Sequence, residues 1–248
     1  MDLGLNGRRA AVAAASAGLG LAAAASLAAE GASVVVCGRD QARLERAVKG
    51  LAGDIRTVVG DVSTVDGALE FMAAADLLLG GVDILVTNGP GPSAGTAVGT
   101  AVTDYPAALE LNLTSQVAMC LAVVEQMRQR RWGRIVAITS IAVRQPIAGL
   151  VLSNTARAGY TGFLKTLARE VASDGITVNS LQPGLHRTDR LRTLHGDNVD
   201  ALAGTIPAGR LGRPEDFGAC VTWLCSEQAG FVTGVHIPVD GGAYAALL

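Results

Sequence analysis

Apolar positions along the 248-residue chain follow two rhythms. Short, almost wholly apolar runs rich in Val, Ile and Ala fall at 9–14, 33–37, 55–59, 82–86, 135–138, 176–181 and 235–239. Between them, at 19–30, 41–51, 65–79, 104–130, about 150–172 and 215–226, apolar residues recur every three to four positions. Runs of the first kind suit strands buried on both faces, and the second kind suits helices that cover them. Their alternation predicts a Rossmann-type, doubly wound α/β fold with about seven parallel strands and helices on both faces.

Turn formers punctuate the pattern where it changes. Gly31 suits the position just past a helix end, and Asn88-Gly89-Pro90-Gly91-Pro92 can continue neither a strand nor a helix. On the long helix the expected inner positions are Tyr105, Leu109, Asn112, Val117 and Leu121. Pro183-Gly184 ends the sixth strand, and 185–213, polar and weakly periodic, reads as a flexible flap over a site. No repeat or linker interrupts the order, so one domain over 1–248 is expected.

Composition removes several function classes. Twenty Lys and Arg stand against 22 Asp and Glu, a net charge of −2 with no basic block, which recommends neither a nucleic acid nor an acidic membrane as partner. The charge-free stretch 10–29 after Arg8-Arg9 superficially resembles a leader or a membrane span. It is mostly Ala and is broken by Ser16, Gly18 and Gly20, so a buried β-turn-α unit of a cytoplasmic protein is expected instead. Cys37, Cys120, Cys220 and Cys225 form no Cys-x-x-Cys pair and read as buried reduced thiols. His186, His195 and His236 have no ligand spacing either, and no metal is expected.

Three places carry chemistry. Gly18-Leu19-Gly20 opens a helix directly after a strand, where free amides and the helix dipole receive a pyrophosphate; a plain tight turn is the alternative. The usual dinucleotide spacing has a further glycine where this chain has Ala14. The second strand ends in Cys37-Gly38-Arg39, with no carboxylate for a ribose 2′-hydroxyl and an arginine able to pair with a 2′-phosphate. That favours NADP over NAD, with a solvated surface charge as the alternative and the neighbouring Asp40 as a complication. Finally, Ser153 and Arg157 lie one helical turn apart after the strand that ends at Thr139-Ser140, so all three functional side chains converge at a strand end.

The chain resembles the short-chain dehydrogenase/reductases, near their 3-oxoacyl-carrier-protein reductase branch, over essentially its whole length. The resemblance rests on residues 13–20, Gly60-Asp61-Val62, Asp83 to Asn88, Asn112, Gly133-Arg134-Ile135-Val136 with Ser140, Val178 to Gly184 with Thr188, Gly212 to Asp216, and Val239-Asp240-Gly241-Gly242. It implies hydride exchange between NAD(P)(H) and a carbonyl or alcohol. Its cofactor contacts would be Ser16, Gly18, Leu19, Gly20, Arg39, Asp61, Val62, Asn88, Arg157, Pro183, Gly184 and Thr188, with the nicotinamide near 183–188.

In that family a serine orients the carbonyl, a tyrosine thirteen residues later moves the proton, and a lysine four residues beyond lowers the tyrosine pKa. An asparagine on the preceding helix anchors a relay water. Counted from Ser140, the tyrosine and lysine positions hold Ser153 and Arg157, and the asparagine is Asn112. A serine hydroxyl ionises too weakly to replace a phenol, and a guanidinium stays protonated and cannot act as its base. Other proton sources are Tyr160, better read as packing; Tyr105, better read as a partly buried loop aromatic; and His186, better read as solvated on the polar flap.

The expected function is therefore an NADP-dependent oxidoreductase, NADPH being preferred to NADH, with Ser140, Ser153, Asn112 and Arg157 around a small-molecule carbonyl or polyketide-like substrate. A non-redox dehydratase, isomerase or cyclase on the same frame, and a catalytically silent nucleotide-binding subunit, are the alternatives. The resemblance also implies a homodimer or homotetramer using the helix after Ser153 and the apolar end 243–248.

Overall fold

Seven strands and eight α-helices alternate along the chain in a computed structural model that describes residues 1–247, with the backbone alone described at 194, 195, 197 and 198. Leu248 of the apolar end and the side chain of His195 lie outside the described residues. The strands are β1 (Arg9–Val12), β2 (Ser33–Gly38), β3 (Asp54–Val59), β4 (Ile84–Thr87), β5 (Gly133–Ile138), β6 (Ile176–Pro183) and β7 (His236–Val239). They form one parallel sheet in the order β3-β2-β1-β4-β5-β6-β7. The order reverses between β1 and β4, and the crevice outside their carboxyl ends is the place such sheets offer a ligand.

Successive strand residues point to opposite faces, and both faces are apolar. Ala11, Val35, Leu85, Ile135 and Val178 enter one buried cluster with α3 (Val65–Leu79), α5 (Ser115–Arg130) and α6 (Val151–Val171). Ala10, Val34, Val86, Val136 and Leu181 enter the other with α1 (Gly18–Ala29) and α8 (Pro214–Cys225). The alanine-rich stretch 10–29 thus forms β1 and α1, and its small side chains let α8 approach so closely that Gly218 faces the Ala22 carbonyl. Two other helices, α2 (Gln41–Val48) and α4 (Tyr105–Leu109), are short. Cys37, Cys120 and Cys225 are buried free thiols, and Cys220 is half-buried.

Three expectations need correction. The long helix is not uniform: α4 passes through a π-turn at Glu110–Thr114 before α5. A π-turn holds one more residue than an α-turn and shifts the inner face, so Ala108, Asn112, Met119, Cys120, Val123 and Met127 are buried while Leu121 is exposed. The continuous run Val102–Arg130 is long and apolar enough to cross a membrane, but Met119, Cys120, Val123, Val124 and Met127 from it pack into the sheet cluster. The segment read as irregular, 185–213, contains α7 (Asp189–His195) and a 3-10 run, Gly196–Thr205. Leu191, Val199, Ile206 and Leu211 make a small apolar cluster there, spaced too unevenly for one helical period to reveal. The predicted strand 9–14 stops at Val12 because Ala14 adopts a left-handed φ of 48°.

Candidate active site

The turn between β1 and α1 is made of backbone. Ala17 precedes α1 without a side-chain cap, and the first turn of that helix carries no acidic residue. In contrast, α2, α3 and α7 are capped by Asp40, Thr64 and Thr188. The first amides of α1 are therefore left for an anion at the positive end of the helix. Gly18 has φ 61°, and a Cβ there would lie 3.5 Å from Cγ2 of Thr188, so the flap crosses directly above the turn. A Cβ at Gly20 would come within 2.7 Å of Asn88 Nδ2 and 3.1 Å of the Ala14 carbonyl. Asn88 donates from that Nδ2 to Ala14 O at 3.1 Å, so the end of β4 clamps the turn. Ser16 and Leu19 are half-buried beside it.

At the end of β2, buried Gly38 lies against Ser16, to which a Cβ would approach within 3.1 Å. Arg39 follows it, exposed and with no carboxylate partner among the described residues. Asp40, the sequence complication, is engaged elsewhere: its carboxylate accepts from the Arg43 amide at 2.7 Å and caps α2. At the end of β3, Asp61 is exposed and accepts from Ser63 N at 3.1 Å, while Val62 is buried in the core.

The β5–α6 centre is made of side chains instead. Arg157 Nη1 donates to the carbonyls of Ile138 and Thr139, at 3.2 Å each, and Nε donates to Ser153 Oγ at 3.3 Å. This one guanidinium ties the start of α6 to the carboxyl end of β5 and carries Ser153 to the strand end where Ser140 sits. Ser140 Oγ accepts from Ala142 N at 3.1 Å. Each serine oxygen has thus taken one N–H, and its own hydroxyl proton has no acceptor among the described residues and is free to be donated. Burial, reinforced by the charge of Arg190 and opposed by Tyr160, pushes Arg157 down to about 10, so it remains a cation at neutral pH. Asn112 is buried inside the π-turn and donates from Nδ2 to Pro90 O at 3.3 Å, which fixes the loop after β4. π-turns inside helices are frequent where a side chain has to be aimed at a site.

Beyond β6, Gly184 N donates to Val239 O at 3.0 Å and Thr188 caps α7 by accepting from Leu191 N. Pro183 is half-buried at the strand end. His186 is not solvated as expected but 5% exposed, because Arg187 N and Gly212 N bond across to Gly212 O and Leu185 O and close the segment over the ring. Its Nδ1 lies 3.2 Å from Gly184 O and the ring meets Phe217 edge-on; burial lowers its pKa below the ordinary value.

Tyr160 packs as expected: its hydroxyl is buried 2.8 Å from Thr87 Oγ1 and 3.3 Å from Cys120 Sγ, and burial raises its pKa well above the usual phenol. Tyr105 is half-buried at the start of α4. A cleft of about 560 Å³ lies on the outer side of α1, bordered by Gly18, Ala22, Leu51, Thr188 and Pro214; it adjoins the glycine turn, not the serines.

Sequence reasoning missed Arg190, which reaches from α7 to donate to Pro92 O at 3.3 Å across 98 positions of chain. Its signal was diluted by Arg187 and Arg192 on either side. Among the described residues no cluster of His, Cys, Asp and Glu has the geometry of a metal site.

Comparisons with known proteins agree with this architecture. A family model described as enoyl-(acyl carrier protein) reductase matches residues 13–244. Dehydrogenase/reductase SDR family member 4 of Bos taurus is 36% identical over 249 aligned residues, covering 98% of this chain and 89% of that protein. The 3-oxoacyl-[acyl-carrier-protein] reductase FabG of Vibrio cholerae is 33% identical over 98% of this chain and 99% of its own. Among solved structures, L-sorbose reductase from Gluconobacter frateurii, complexed with NADPH and L-sorbose, superposes with a TM-score of 0.92 at 32% identity, covering both chains fully (100%).

Proposed function

The chain belongs to the short-chain dehydrogenase/reductase family of oxidoreductases, and from that premise we propose that it binds NADP(H) across the ends of β1, β2 and β4 and reduces a small-molecule carbonyl, or oxidises the alcohol, at Ser140 and Ser153. The observation that carries this reading is the first turn of α1: uncapped, free of carboxylates, and set at the point where the strand order reverses. Gly18, Leu19, Gly20 and Ser16 take the pyrophosphate side, with Thr188 above them. Asp61, Val62 and Asn88 border the adenosine half, and Pro183 and Gly184 the nicotinamide half.

Arg39 selects NADPH. Exposed beside a glycine and without a carboxylate partner among the described residues, with Asp40 held by its helix, it offers a 2′-phosphate a bidentate partner and offers no acceptor to a free 2′-hydroxyl.

The cofactor, when bound, supplies or receives the hydride. Ser140 and Ser153 hydrogen-bond the substrate oxygen through their hydroxyls without giving up the proton, and the Arg157 cation behind Ser153 stabilises the negative charge that develops there. Ser153 and Arg157 replace the family's tyrosine and lysine, so no phenol delivers the proton; water or a flap residue does. Asn112 keeps the Pro90 loop in place and serves the relay water. Arg157 also receives the nicotinamide ribose. As in its relatives' family, the working form is a homodimer or homotetramer built on α6 and the C-terminal end, in the cytoplasm.

The test is a fluorescence titration of the protein and of Arg39→Ala with NADPH and NADH, followed by addition of activated ketones. The expected result is tight NADPH binding, weakened at least about tenfold in the variant, with NADH little changed, since hydrogen bonds to charged groups are worth about 1.5–3 kcal/mol. Equal loss for both cofactors would remove the 2′-phosphate role. Binding without hydride consumption would move the reading to a non-redox enzyme, and no binding to a silent subunit.

A further inference from the structure

Three polar side chains meet inside the sheet cluster that packs against α5 and α6. Thr87 ends β4, Cys120 lies on α5 and Tyr160 on α6, and none is more than 2% exposed. The Tyr160 hydroxyl is 2.8 Å from Thr87 Oγ1 and 3.3 Å from Cys120 Sγ. The other fully buried side-chain donors among the described residues reach backbone carbonyls: Arg134 bonds Ser226 O and Gly133 O, and Thr139 bonds Leu181 O. Bonds of that kind satisfy main-chain groups that a buried chain has to pair. The Tyr160 bonds satisfy only side chains, and a phenylalanine facing a valine would fill the same space with no hydroxyl left unpaired. What the hydroxyls add to packing is a fixed direction between two elements.

Each member of the trio lies one step below a residue of the proposed site. Thr87 precedes Asn88, whose Nδ2 donates to Ala14 O at 3.1 Å and clamps the glycine turn. Cys120 follows buried Gln116 by one helical turn, and Gln116 Nε2 donates to Asn88 O at 3.5 Å. Tyr160 follows Arg157 by three residues, and Arg157 holds Ser153 and the end of β5. One bonded group therefore joins the helix of the serine and arginine to the strand that clamps the turn. The ring itself is stacked on Phe163, with centroids 6.1 Å apart, so its place depends on packing and only the hydroxyl makes the tie.

We propose that the Tyr160 hydroxyl is a positioning group: through Thr87 it fixes Ser153 and Arg157 on α6 against the cofactor turn, and so sets how a carbonyl approaches the nicotinamide. The inference rests on the carbonyl-reducing reading above and adds a residue to it. Tyr160 is not a proton donor to substrate. It is sealed in the core, and burial raises its pKa well above the usual phenol, so the proton stays where the bonds hold it.

The experiment compares the protein with Tyr160→Phe, Thr87→Val and the double variant. NADPH affinity is read by fluorescence titration, hydride transfer to an activated ketone in a single turnover, Tm by calorimetry, and order by hydrogen exchange over 13–20 and 151–158. Each single variant is expected to slow transfer about tenfold with NADPH affinity kept within about twofold, because a small misplacement of reacting atoms costs up to about 100-fold in rate. Each also lowers Tm, since a buried hydroxyl loses a partner. The double variant leaves no hydroxyl unpaired and is expected to recover most of the Tm but not the rate, and both segments still exchange faster than in the wild type. An unchanged rate in Tyr160→Phe, a rate that returns together with Tm in the double variant, or NADPH affinity lost in step with the rate would overturn the positioning role. If the wild type reduces no ketone, the functional reading falls and hydrogen exchange decides: faster exchange in the double variant at recovered Tm supports the tie, and wild-type exchange overturns it.

Discussion

Around Gly18 the groups facing the cleft are backbone amides, whereas around Ser153 they are side chains held by one arginine. The two regions respond differently to sequence change. At the turn, Ala14 stands where a dinucleotide loop usually has glycine, yet the backbone still reaches a φ of 48° and Asn88 still clamps it. The shape survives at the cost of strain, and the amides remain available. At the centre no backbone geometry compensates: in the proposed reading, serine and arginine in place of a phenol and an ammonium keep the positions and change what they do to a proton. A site built of main chain tolerates substitution that a site built of side chains, on the proposed reading, would convert into different chemistry.

The contrast sharpens most if the centre is rebuilt. Ser153→Tyr with Arg157→Lys would supply a tunable acid on the frame proposed to hold the cofactor, and kcat/KM for activated ketones is expected to rise about 100-fold or more, the usual range for a positioned general acid. An unchanged rate with NADPH still bound would show that the missing phenol is not what limits reduction.

The smaller effect lies at the turn. Ala14→Gly removes a left-handed alanine that costs about 1–2 kcal/mol, partly offset by about 0.5–1 kcal/mol of extra chain entropy in the unfolded glycine. A gain of up to about 1 kcal/mol, or roughly 2–4 °C in Tm, is expected by calorimetry. A lower Tm would mean that the turn is held by contacts of the alanine methyl group.

The turn was readable in the chain because it depends on local residue types: two glycines between an apolar run and a helical one. The seven strands were readable for the same reason, to within a few residues at their ends. The π-turn at Glu110–Thr114 was not, since the extra residue leaves no mark in an apolar pattern; Leu121 moved to the surface as a result. His186 was not placed correctly and Arg190 was not singled out, because each is positioned by partners far along the chain: Gly212 and Phe217 for one, Gly91 and Pro92 for the other. Ser153 and Arg157 were visible as a pair one turn apart, but their anchoring to the Ile138 and Thr139 carbonyls required the fold.

The central claim is that a reductase frame surrounds a centre in which none of the side chains proposed at the substrate, Ser140, Ser153, Asn112 and Arg157, titrates near neutrality. Arg157 sits at about 10, Tyr160 is raised well above its usual value by burial, and His186 is lowered below its own. The direct measurement is the rate of hydride transfer from bound NADPH to an activated ketone between pH 7 and 9 in a single turnover. The expected profile is flat across that window, as for protonation by water. A rate that falls through a pKa inside it would reveal a titrating acid in the protein and contradict the account.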